Sequence, residues 1–94
     1  MRFVGLTEVA SFVLQCPDQS EVVRAWLTEM RHRTWVTAAS LLSDFPNADA
    51  SRPPDVVFHL AAGSVRIETI IDFRTGVVLL TRIHHPTMTL AYPS

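Results

Sequence analysis

The side chains best suited to chemistry in this sequence are an arginine and a pair of histidines in its second half: Arg66, His84 and His85. A guanidinium presents a planar fork of donors that grips a phosphate through two hydrogen bonds. An imidazole gains or loses a proton near neutral pH, so it serves as general acid or general base. Placed side by side, these groups would hold a phosphoryl group and move a proton beside it. Four further arginines, Arg31, Arg33, Arg74 and Arg82, are candidate grips for a phosphate backbone. The Arg31-His32-Arg33 run also suits a helix C-terminus, where cations meet the negative end of the helix dipole. No cysteine or carboxylate stands close enough to His84-His85 in sequence to complete a metal site, so neither metal nor other cofactor is expected. Trp26, Trp35 and Cys16 read as packing residues. His59, inside an apolar run, reads as a partly buried structural histidine.

The elements that must position these groups divide the chain in two. Residues 3–5 suggest a short edge strand, and residues 7–15 a first helix with Leu6, Val9, Phe12, Val13 and Cys16 roughly on one side. Pro17 ends that helix, because the residue before a proline disfavours helical backbone. Asp18 and Glu21 have the spacing of a capping box for a second helix that runs to about residue 33. Val22, Val23, Trp26, Leu27 and Met30 recur at helical spacing along it. Residues 37–44 suggest a third short helix, and the prolines and polar residues of 46–55 a loop.

From residue 56 the period becomes two. Residues 56–60, 65–73 and 77–84 read as strands joined by short turns, which is an antiparallel meander. Val65, Ile67, Thr69, Ile71 and Phe73 face one way, and Arg66, Glu68, Ile70 and Asp72 the other. A three-residue loop ending in Gly76 would pair Phe73 with Val77. Glu68 then lies opposite Arg82, and Arg66 opposite His84, with Val77, Leu79 and Ile83 on the apolar side. A two-residue loop would pair Arg66 with His85 instead. Either register sets a histidine beside Arg66 at the open end of the hairpin. The expected fold is α+β: helices of the first half cover one face of a three- to four-stranded, mostly antiparallel sheet.

Ninety-four residues fit one domain, 1–94, with a small core. The formal charge is −1, and all eight basic residues are arginine. Composition alone therefore does not mark a nucleic-acid binder, and any RNA contact must come from a local arginine patch. The single cysteine forms no internal disulfide, which suits a reducing cytosol. Without a signal-like segment or a run of about 20 apolar residues, the expectation is a cytoplasmic protein with no membrane contact.

The order of motifs resembles the HigB toxins, a branch of the RelE-like superfamily. Trp26 and Trp35 precede Phe45-Pro46-Asn47-Ala48-Asp49, which matches a Phe-Pro-x-Ala-Asp stretch of the family. Val57-Phe58-His59-Leu60 follows, then Ala61-Ala62-Gly63 and Arg66. His84-His85-Pro86-Thr87-Met88-Thr89 aligns with a terminal Thr-His-x-Glu-Tyr-Asp motif. The chain departs at Gly63, where the family has asparagine, and at Val65, where it has an aromatic. The terminal glutamate, tyrosine and aspartate are replaced. The resemblance implies a RelE-like fold and a toxin of a type II toxin–antitoxin system. It implies an endoribonuclease that cleaves messenger RNA on the ribosome by metal-independent attack of a ribose 2′-hydroxyl. Arg66 and His85 would then be catalytic, with His84 beside them, and Arg31, Arg33, Arg74 and Arg82 would contact RNA. The implied partner is a HigA-like helix-turn-helix antitoxin, through which any DNA contact would run. The replaced terminal residues leave a second reading, a degenerate toxin that only binds its antitoxin or the ribosome.

Overall fold

A computed structural model describes residues 1–61 and 65–84. The elements in chain order are β1 (Arg2–Val4), α1 (Thr7–Gln15), α2 (Ser20–His32), α3 (Ala38–Asp44), β2 (Asp49–Arg52), β3 (Asp55–Leu60), β4 (Val65–Asp72) and β5 (Val77–His84). The fold is α+β, with three helices and one five-stranded mixed sheet in the order β1-β5-β4-β3-β2. β2, β3, β4 and β5 form an antiparallel run, and β1 joins the edge of β5 in parallel.

The alternation of β4 is what divides the sheet into two faces. Val65, Ile67, Thr69 and Ile71 are buried, whereas Arg66, Ile70 and Asp72 are exposed and Glu68 half-buried. Cross-strand partners share a face, so Val56, Phe58, Val78 and Leu80 join the buried side. The helices cover that side. Phe3, Trp26, Phe58, Phe45 and Trp35 form a chain of edge-to-face rings, with centroids 5.2–5.7 Å apart, that ties β1, α2, β3 and α3 together. Edge-to-face contact suits the ring quadrupoles and adds to the area buried. Val23, Met30 and Leu41 are fully enclosed in the same core. Thr69 is its one buried polar side chain among the described residues, and its hydroxyl donates to the Val56 carbonyl at 2.7 Å.

Several local expectations are corrected. The segment expected as a loop contains β2, an edge strand that pairs Asp49 with Val57 and Arg52 with Asp55 around an irregularity. Asp18 does not cap α2. Pro17 opens a 3-10 turn over Pro17–Gln19 that consumes Asp18, and Gln19 precedes the helix without a side-chain cap. A capping box forms at α3 instead, where Thr37 accepts from the Ser40 amide and the Ser40 hydroxyl lies 3.4 Å from the Thr37 amide that donates to it.

The hairpin turn also differs. Its loop has four residues, closed by the Gly76 amide donating to the Asp72 carbonyl at 2.9 Å, with Gly76 at φ 73°. Asp72 therefore pairs with Val77, and a bulge between Glu68 and Thr69 shifts the ladder by one. Val78 and Leu80 consequently face the core, and Leu79 is exposed, the reverse of the expected side. Beyond the bulge the expected pairs are present: Glu68 with Arg82, Ile67 with Ile83 and Arg66 with His84.

Gly5 links β1 to α1 at φ 92°, with the Leu80 carbonyl oxygen 2.6 Å from where a Cβ would stand. Only glycine accommodates both the left-handed backbone and that approach. No helix of the described residues is long and apolar enough to cross a membrane.

Candidate functional site

The sheet face opposite the helices carries the residues singled out for chemistry. Arg66 projects from β4 because its neighbours Val65 and Ile67 are committed to the core. β5 supplies His84 opposite Arg66 and Arg82 opposite Glu68. One carboxylate joins the set: Glu68 Oε2 lies 2.8 Å from His84 Nε2 and 3.6 Å from Arg66 Nε. The side chains of Arg66, Glu68 and His84 are 49, 31 and 30% exposed, so water and ligands reach all three. With Glu68 accepting at Nε2, the Nδ1 of a neutral His84 is left without a proton and able to accept one.

The third strand contributes a residue assigned above to structure. His59 on β3 pairs with Arg66 from the other side, and it is exposed rather than partly buried. Val56, Phe58 and Leu60 turn towards the helices, so the alternation that buries them sends His59 to the open face. The period-two signal was present in the sequence, masked by the apolar run around it. The open face thus carries a transverse row His59–Arg66–His84 across three adjacent strands.

Beside this row lies a polar concavity of about 500 Å³ lined by Asp49, Ser51, Arg52, Asp55, Val57, Arg66 and Glu68. Asp49 is held in it by Ser51, whose amide donates to Oδ1 at 2.9 Å. The Ser51 hydroxyl and amide keep the Asp49 carboxyl below its ordinary range, against partial desolvation, and the charges of His59 and Arg52 act in the same direction as Ser51. Each histidine of the row therefore has a carboxylate for company: Glu68 at His84, by direct contact, and Asp49 at His59, through space. Among the described residues no group of three or more His, Cys, Asp and Glu side chains is placed to hold a metal ion.

The remaining arginines do not converge on the row. Arg82 shares the open face, two pairs along the ladder from His84. Arg74 lies in the hairpin turn, at the opposite end of β4 from Arg66. Arg31 and Arg33 end α2 in the helical layer, on the other side of the sheet, and Arg33 is tied to Asp44 at 2.9 Å. Asp44 also accepts from Trp35 Nε1 at 2.7 Å, which fixes Trp35 as a buried packing residue. His85 and the rest of the stretch aligned with the terminal motif after His84 lie outside the described residues, as does Gly63.

No protein-family model matches the chain, and no curated protein matches it.

Proposed function

We propose that this chain is a HigB-like toxin of a type II toxin–antitoxin system, an endoribonuclease that cuts messenger RNA during translation. The observation that carries the reading is the pairing of Arg66 with His84 on the open face of the sheet. A phosphodiester seated over Arg66 meets a guanidinium able to neutralise charge that builds up in the transition state. It also meets an imidazole able to take or give a proton. These are the requirements for attack of a ribose 2′-hydroxyl on the adjacent phosphorus. The α+β fold, with one sheet face left open beside the site, is compatible with a RelE-like architecture. The order of sequence motifs supports the narrower assignment to HigB, and with it a HigA-like helix-turn-helix antitoxin as partner.

A second reading is favoured by one contact. Glu68 engages both His84 and Arg66, the two groups a phosphate needs. Together with replacement of the terminal glutamate, tyrosine and aspartate, this suits a chain that binds antitoxin or ribosome without cutting RNA. Expression of the protein in a bacterial host, with mapping of messenger RNA ends, separates the readings. Growth arrest with new cuts within translated codons supports the nuclease. Antitoxin or ribosome binding with intact messages supports the binding module.

A further inference from the structure

We propose that His59 is a catalytic residue of this site, and that His59 and His84 form a general acid–base pair acting from opposite sides of a phosphate held over Arg66. The inference rests on the nuclease reading and extends it to a residue that reading does not use. Its basis is the register: His59 pairs with Arg66 on one side, and His84 pairs with Arg66 on the other. Neighbouring strands lie about 4.8 Å apart, which sets the two histidine Cα atoms roughly 10 Å apart with the arginine midway. Side chains in a strand stand roughly perpendicular to the sheet, so both imidazoles rise from the open face beside the guanidinium. In phosphoryl transfer the entering and leaving oxygens lie in line through phosphorus, on opposite sides of it. Groups that serve those two oxygens must stand on opposite sides as well, and this row places one imidazole on each.

The chemistry balances without a further reagent. One imidazole, neutral, takes the proton of the 2′-hydroxyl as the 2′-oxygen–phosphorus bond forms. The other, protonated, gives its proton to the 5′-oxygen as the phosphorus–5′-oxygen bond breaks. The products are a 2′,3′-cyclic phosphate and a free 5′-hydroxyl, and the two imidazoles leave with their protonation states exchanged. Glu68, at 2.8 Å from His84, orients that ring.

The test is single-turnover cleavage on programmed ribosomes by the parent, His59→Asn, His59→Gln and His84→Asn. Two messenger substrates are used, one ordinary and one with sulfur replacing the bridging 5′-oxygen at the cut. A thiolate leaves without being protonated, so the sulfur substrate needs the base but not the acid. Loss of proton transfer costs on the order of 10²- to 10⁴-fold. Each histidine variant is expected to lose that much on ordinary RNA, and variants at only one of the two positions to recover near-parental rate on the sulfur substrate. A histidine that merely supports the sheet would give equal losses on both substrates. The exposed side chain of His59 makes both replacements compatible with the fold, which matching amide spectra would verify. His59 variants cutting ordinary RNA at the parental rate overturn the proposal. So does recovery at both positions, or at neither. A parent that leaves ordinary RNA uncut overturns the nuclease reading, and this proposal with it.

Discussion

Glu68 contacts both groups that the proposed nuclease reading assigns to the phosphate, and replacing it by glutamine gives a prediction of opposite sign to the usual loss on mutating an active-site residue. Its Oε2 contacts His84 Nε2 at 2.8 Å and lies 3.6 Å from Arg66 Nε. RNA must compete with that carboxylate for the same two side chains and also endure its repulsion. Glutamine keeps the shape and retains a carbonyl oxygen to accept from Nε2, so the change removes charge rather than contact. A unit charge about 4 Å away is worth ~1 kcal/mol in water and ~4 kcal/mol near a protein surface of lower effective dielectric. These side chains are 30 to 49% exposed, so screening by solvent keeps the effect near the lower figure. About 1 kcal/mol corresponds to roughly a fivefold change in affinity. Glu68→Gln should therefore tighten binding of a short RNA by about fivefold. The RNA carries 2′-O-methyl groups so that it cannot be cut, and binding is followed by fluorescence anisotropy at low salt. The gain should shrink as salt is raised, because exposed charges are screened. Unchanged or weaker binding by the glutamine variant would refute the idea that Glu68 competes with phosphate at this site.

Other consequences concern the scaffold that holds the row. Gly5→Ala sets a Cβ against the Leu80 carbonyl at a left-handed backbone, which should cost on the order of 1–3 kcal/mol. For a domain of this size that lowers the melting temperature by roughly 4–8 °C per kcal/mol, readable by calorimetry; an unchanged melting temperature would mean that β1 is not docked as described. Thr69→Val removes the buried hydroxyl bond to Val56 at no change in shape and should cost about 1 kcal/mol in chemical denaturation, with no loss there contradicting that bond. Partial desolvation raises the Asp72 carboxyl, but hydrogen bonds from the Arg74 and Thr75 amides and the charge of Arg74 outweigh it and leave it below its ordinary value. The sign follows: the stability Asp72 lends to the turn is complete above an unfolded aspartate value near 4 and is lost as pH falls through the lower folded value. Asp72→Asn should flatten the acid limb of the stability profile, and an acid limb identical to the parent's would deny the carboxylate this role.

How much of this could be read from the sequence depended on local pattern. Val65, Ile67, Thr69 and Ile71 alternate with polar partners, so β4 and its two faces were legible, and with them the exposure of Arg66. The pairing of Arg66 with His84 was reached through two errors of one residue that cancel. The loop is one residue longer than expected, and the bulge beside Glu68 restores the register beyond it. A bulge depends on the partner strand and the turn together, and neither is written in the periodicity of β5 alone. β2 was missed because Asp49–Arg52 is short and polar, on the edge, between Pro46 and Pro53. The cap at Asp18 failed because Pro17 starts a 3-10 turn, a choice the capping-box spacing does not encode. His59 was misjudged from the apolar residues around it, although the alternation it belongs to directs it outward.

The central claim is that the open face around Arg66 cuts messenger RNA, and Arg66→Ala tests it most directly. The side chain lies outside the core, so the variant should fold normally and appear at the same soluble level as the parent. Loss of a transition-state charge partner typically costs on the order of 10²–10³ in rate. Both proteins are expressed at matched levels in the same host, and growth and the 5′ ends of messenger RNA are followed together. The account predicts arrest and new cuts within translated messages for the parent, and neither for Arg66→Ala. An alanine variant that arrests growth and cuts RNA as the parent does would contradict it.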